Sequence, residues 1–144
     1  VNIRRTSTQL ISLSLVGICL LAASVPSSRD DGELYKLMKS LKGHLKTLAG
    51  ALQSPDTDEA SLAALSEMQV ITIAAKRLLP TNLEDVPEAK RAAHTKAYKV
   101  DMARLLQELA AIEIDVLERR HSEAFERIKS GLLEMRESAH DKFQ

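Results

Sequence analysis

Between residues 33 and 143, four stretches carry apolar side chains at alternating steps of three and four. This periodicity restricts the chain to helices that bury one stripe each in a shared core. Leu34, Met38, Leu41, Leu45, Leu48 and Leu52 form the first stripe, on a helix predicted from about Glu33 to Leu52. Gly50 and the run Ser54-Pro55-Asp56-Thr57-Asp58 close that helix and open the next. Leu62, Leu65, Met68, Ile71 or Thr72, Ala75 and Leu78 or Leu79 mark a second helix over about Asp58–Leu79, ended by Pro80.

Asp85, Pro87 and Glu88 supply a capping side chain, an early proline and a carboxylate, which start a third helix. It is predicted over about Pro87–Arg119. Its first third is polar, and its apolar pattern runs from Tyr98 through Met102, Leu105, Leu106, Leu109, Ile112, Val116 and Leu117. One unbroken helix there would be about 50 Å long against about 30 Å for its partners. A kink or a separate short helix is therefore expected before about Ala97. Phe125, Ile128, Leu132, Met135 and Ala139 define the fourth helix, over about Ser122–Phe143. Aromatics make up 3% of the chain and tryptophan is absent, which disfavours a sheet. The expected fold class is all-α: an antiparallel up-down-up-down four-helix bundle.

Residues 1–25 read as a cleaved secretory signal peptide. Arg4 and Arg5 form its positive region, Leu10 to Val25 its apolar run, and Ala22, Ala23 and Ser24 its cleavage region. The apolar run is short for a membrane span, which takes roughly 20 residues. Residues 26–32 are a polar linker and 33–144 the folded domain. Cys19, the only cysteine, lies in the leader. The exported part therefore has no disulfide, no thiolate ligand and no Cys-x-x-Cys-His site. Formal net charge is zero, and loss of Arg4 and Arg5 leaves the remainder slightly acidic. No basic stripe is left for nucleic acid, and no membrane association is expected after leader removal.

In an up-down-up-down bundle, the start of helix one and the end of helix four lie at the same end. Met38 and His140 then stand at one level on neighbouring helices, where a thioether and an imidazole can face each other. Met135 shares a helix with His140, Met68 lies mid-helix, and Met102 falls well below that end if its helix begins at Pro87. Among the histidines, His44 is on the polar side of helix one, His94 is in the polar lead-in to helix three, and His121 is at the opposite turn. Spacing alone permits this pair without selecting it. A methionine in such a stripe is more often core packing, and a histidine near a helix C-terminus more often complements the dipole.

The chain resembles the soluble periplasmic cytochrome b562 family over about residues 33 to 144. Helix one reads Leu34-Tyr-Lys-Leu-Met38-Lys-Ser-Leu41-Lys-Gly-His-Leu45, and Met68 through Leu79 is followed by Pro80 and Leu83-Glu84-Asp85. The chain ends Arg136-Glu-Ser-Ala-His140-Asp-Lys-Phe143, similar to the family's Arg-x-x-x-His-x-Lys-aromatic ending. The resemblance implies a periplasmic electron-transfer protein, not an enzyme. It would be a monomer binding one non-covalent haem b, with Met38 and His140 as axial ligands and redox proteins as partners. Arg136 would stand near a propionate, and Leu37, Leu41, Leu45, Met68, Leu79 and Pro80 would line the macrocycle. The sequence departs from the family in a longer segment between Pro87 and helix four, which leaves the lining residues of helix three open, with Tyr98 and Met102 as candidates. A second departure is Gln144, where a terminal arginine is usual.

Two rivals belong to other classes. Glu118-Arg-Arg-His121 and Glu137-Ser-Ala-His140 match the tetrad of carboxylate-bridged di-metal bundles. They lie roughly 24 Å apart along the fourth helix, too far to share a metal. The other rival is a haem-free exported bundle that binds a protein partner or senses stress.

Overall fold

The computed structural model describes residues 28–54 and 57–143. The expected leader, Cys19 and Gln144 lie outside the described residues. Those described are all-helical, with four helices and no strand. The helix α1 (Ser28–Ala51) is followed by α2 (Asp58–Ala75) and a short 3-10 turn at Leu83–Asp85. Then come α3 (Glu88–Leu117) and α4 (His121–Arg127). A π turn (Ile128–Leu132) joins α4 to α5 (Leu133–Phe143), and these three segments run on as the fourth helix. No described helix is long and apolar enough to cross a membrane.

Three boundaries differ from the sequence-based expectation. α1 begins at Ser28, so residues 28–32 of the expected linker are helical. α2 ends at Ala75, and residues 76–79 turn toward Pro80 through hydrogen bonds from Arg77 N to Ala74 O and from Leu78 N to Ala75 O. α3 is one helix of 30 residues, about 45 Å long, with no separate helix before Ala97. Its extra length does not need a break. Residues 88–93 are exposed, and the lead-in lies against the connection instead of in the core. Arg91 donates there to the carbonyls of Val86 (2.9 Å) and Glu84 (3.0 Å).

The core falls into two stacked apolar clusters that share Leu105. The larger contains Leu48, Leu65, Met68, Leu109, Ile112, Val116, Ile128 and Leu132. The smaller contains Leu34, Ala75, Tyr98, Met102 and Phe143, with Leu37, Met38, Leu78 and Ala139 packed against it. Every stripe residue named for the fourth helix is buried or half-buried, from Phe125 to Ala139.

Helix ends are held by specific chemistry. Thr57 Oγ1 donates to the carbonyls of Ala51 and Ser54, closing α1. α3 ends in a Schellman turn: Arg120 N donates to Asp115 O and Arg119 N to Val116 O, with Arg119 at φ 58°. Asp115, buried at 3% exposure, accepts from the guanidinium groups of Arg120 and Arg127. His121 Nε2 donates to Asp58 Oδ1 at 2.6 Å and ties the start of α4 to the start of α2. In the π turn, Gly131 lets α3 approach closely, since a Cβ there would meet Glu108 Oε1 at 3.0 Å.

Candidate functional site

The smaller cluster is where α1, α2, α3 and α5 contribute side chains together. Met38 is half-buried and packs against it from α1. Ala139 packs against the same cluster from α5, so His140 follows directly on a residue that shares Met38's neighbours. The His140 ring itself is exposed. With Arg136, Glu137 and Asp141 it lines a surface depression. Arg136 is also exposed, and among the described residues it forms no ion pair with Glu137 or Asp141.

The remaining candidates divide between the layers. Leu37 borders the smaller cluster with Met38. Leu41 and Leu45 pack against the larger cluster, and Met68, 1% exposed, belongs to it. Pro80 is fully buried and Leu79 half-buried in the connection after α2. Met68 and Leu41 thus sit one layer away from the cluster that carries Met38.

Met102 requires a correction. Counted from Pro87 it falls well below the Met38 level, yet it is buried at 5% within the smaller cluster. The first turns of α3 lie against the connection, which brings Tyr98 and Met102, the two open candidates on this helix, level with Leu34 and Phe143. Tyr98 OH donates to Ala75 O at 2.8 Å, and burial pushes its phenol up to about 12, so it remains a protonated donor.

The stripe of the fourth helix stops at Ala139 in the sequence analysis, yet it continues one step of four to Phe143, which is buried at 5%. The Phe143 ring meets those of His94 and Tyr98 edge-on, at centroid distances of 5.1 and 5.4 Å. Thr81 Oγ1 donates to Phe143 O and Asn82 Nδ2 to Lys142 O, each at 2.9 Å. His94 Nε2 donates to Asn82 Oδ1 at 2.8 Å. Of Thr81, Asn82 and His94, only His94 stands out in the sequence. Polar loop residues such as Thr81 and Asn82 carry no periodic signal that would assign them to a distant helix end.

α1 packs closely on α2, α2 on α3, and α3 on the segments of the fourth helix. Among the described residues, α1 and α5 are not a closely packed pair. Met38 on α1 and Ala139 on α5 both pack against the smaller cluster, and His140 follows Ala139 with an exposed side chain. A soft thioether and an imidazole are a donor set of the kind that holds a haem iron. The two Glu-x-x-His tetrads lie at separate places, with His121 on Asp58 and His140 at the depression. Among the described residues no three His, Cys, Asp or Glu side chains converge as metal ligands. No protein-family model matches the chain, and neither does any curated protein.

Proposed function

We propose that this chain is a periplasmic electron-transfer protein, an antiparallel up-down-up-down bundle that holds one haem b non-covalently between Met38 and His140. The observation that carries this reading is that Met38 on α1 and Ala139, the residue before His140 on α5, pack against one apolar cluster. Three cross-links support the helix order. Tyr98 binds the end of α2, His121 binds the start of α2, and Thr81 binds the end of α5.

A haem held by thioether and imidazole supplies one-electron Fe(III)/Fe(II) exchange, at a higher potential than thiolate ligation would give. Met38 would hold the group from the apolar side, where it packs with Leu34, Leu37, Tyr98 and Met102 away from water. His140 offers a ring nitrogen from the solvent side. Were both residues to hold the iron, no position would be left for a substrate, so the reading is electron carriage, not catalysis. Arg136, one turn before His140 and free of an ion pair among the described residues, is positioned for a propionate carboxylate. Redox proteins are the partners in this reading.

The haem-free alternative draws on one observation. Val70 and Ile73 on α2, and Ile114 and Leu117 on α3, are exposed large apolar side chains that a partner would cover. Substitution of the proposed ligand pair separates the two readings. The purified protein is titrated with haemin and visible spectra are recorded in both oxidation states. Met38→Ala and His140→Ala should each abolish the bis-axial low-spin spectrum. A spectrum unchanged in either variant would remove that residue from the ligand pair.

A further inference from the structure

The last turn of a helix leaves its carbonyls without intrahelical donors, and such ends fray. His140 lies in that last stretch of α5, where fraying would leave its ring without a fixed position. In this protein the terminal carbonyls are met by side chains from a segment about 60 positions earlier in the chain. Thr81 takes Phe143 O and Asn82 takes Lys142 O. The Asn82 amide is itself fixed, because its oxygen accepts from His94 on α3. Two further contacts fasten the same turn. Lys142 Nζ lies 3.4 Å from Asp101 Oδ2, and the Phe143 ring is wedged against His94 and Tyr98.

We infer that Thr81, Asn82 and His94 form a clamp that positions His140 as an axial ligand. This inference rests on the proposed haem function and deepens it. The three residues touch neither Met38 nor His140 in any hydrogen bond. They act through the backbone of residues 142 and 143, two and three positions beyond the ligand. The arrangement also gives the extended lead-in of α3 a role. It carries His94 to the 80–86 connection, and through Asn82 it couples the start of α3 to the end of α5. Outer groups that orient a metal-binding histidine typically govern affinity by about 10–100-fold.

The test compares the purified protein with the double variant Thr81→Val/Asn82→Ala, using Thr47→Val on exposed α1 as a control. Amide exchange is first measured without haem. The double variant should lose protection over residues 139–143 by about tenfold or more, while Thr47→Val should not. Haemin titration should then show about tenfold weaker binding and a growing high-spin component in the double variant. Thr81→Ser, which keeps the hydroxyl donor, should retain the low-spin spectrum. If the parent protein gives a low-spin spectrum and the double variant matches it in affinity and spin state, the clamp is refuted and the electron-transfer reading stands. Unchanged amide exchange refutes the clamp without reference to haem. If the parent protein takes up no haem, the proposed function fails, and the ligand-positioning role falls with it.

Discussion

Asp115 combines almost complete burial with full ionisation, and its surroundings show which effect prevails. The hydrogen bond from Arg120 holds its carboxyl below the ordinary value of 3.8. Burial pushes the other way, and Arg127 adds to the lowering. A carboxyl whose folded pKa lies below its unfolded one contributes stability above the unfolded value and loses it as pH falls through the folded value. Asp115→Asn should therefore cost about 2 kcal/mol at pH 7, the scale of hydrogen bonds to a charged group. The gap between parent and variant should narrow below about pH 4. Urea midpoints measured from pH 7 to pH 2.5 check this, and a pH-independent gap would contradict it. At the ligand pair, the sequence made Met38 legible as a stripe residue, and the structure keeps it against the core. His140 was legible only as a residue beside the stripe, and its ring is exposed because Ala139 and Phe143 take the inward positions on α5.

The helices themselves follow from periodicity, because each stripe is continuous and, Leu117 apart, each helix buries or half-buries it. The ends follow less well. The C-terminus of α3 carries no glycine, although Arg119 adopts the left-handed conformation that glycine favours. Local sequence therefore gave no stop signal there. The turn is held instead by Asp115, which is met by Arg120 through both backbone and side chain. Arg119 is exposed and makes no ion pair among the described residues. Arg119→Gly should therefore raise stability by about 0.5–1 kcal/mol by removing the Cβ strain. A thermal melt that shows no gain or a loss would mean that the arginine side chain contributes more than its backbone costs. The π turn at 128–132 was likewise invisible in the stripe, since Phe125, Ile128, Leu132 and Met135 keep ordinary helical spacing across it. Its visible correlates are Ser130, whose hydroxyl returns to Glu126 O at 2.8 Å, and Gly131 against Glu108.

Across the whole molecule, the two apolar clusters have different partners. The larger is closed by α1, α2, α3 and the first half of the fourth helix. The smaller draws on α1, α2, α3 and α5, although α1 and α5 are not a closely packed pair among the described residues. The level of Met102 could not be read from helix length alone. The lead-in of α3 lies on the connection, and that tertiary arrangement shifts every later residue of the helix relative to the bundle end. A haem bound by the folded state only should stabilise the protein by about 2.7 kcal/mol at a free concentration one hundred times its dissociation constant. In a domain of this size that is a rise of roughly 10 °C in Tm. Melting the purified protein over a haemin series should show this rise growing with the logarithm of free haemin, and equal melting throughout would count against a specific site.

The central claim is that Met38 and His140 together hold one haem iron. The visible spectrum of the haemin-loaded protein after reduction tests it most directly. Ligation by both residues predicts a sharp low-spin α-band at one haem per chain, lost in Met38→Ala and in His140→Ala. A broad spectrum without that band in the parent protein would contradict the claim.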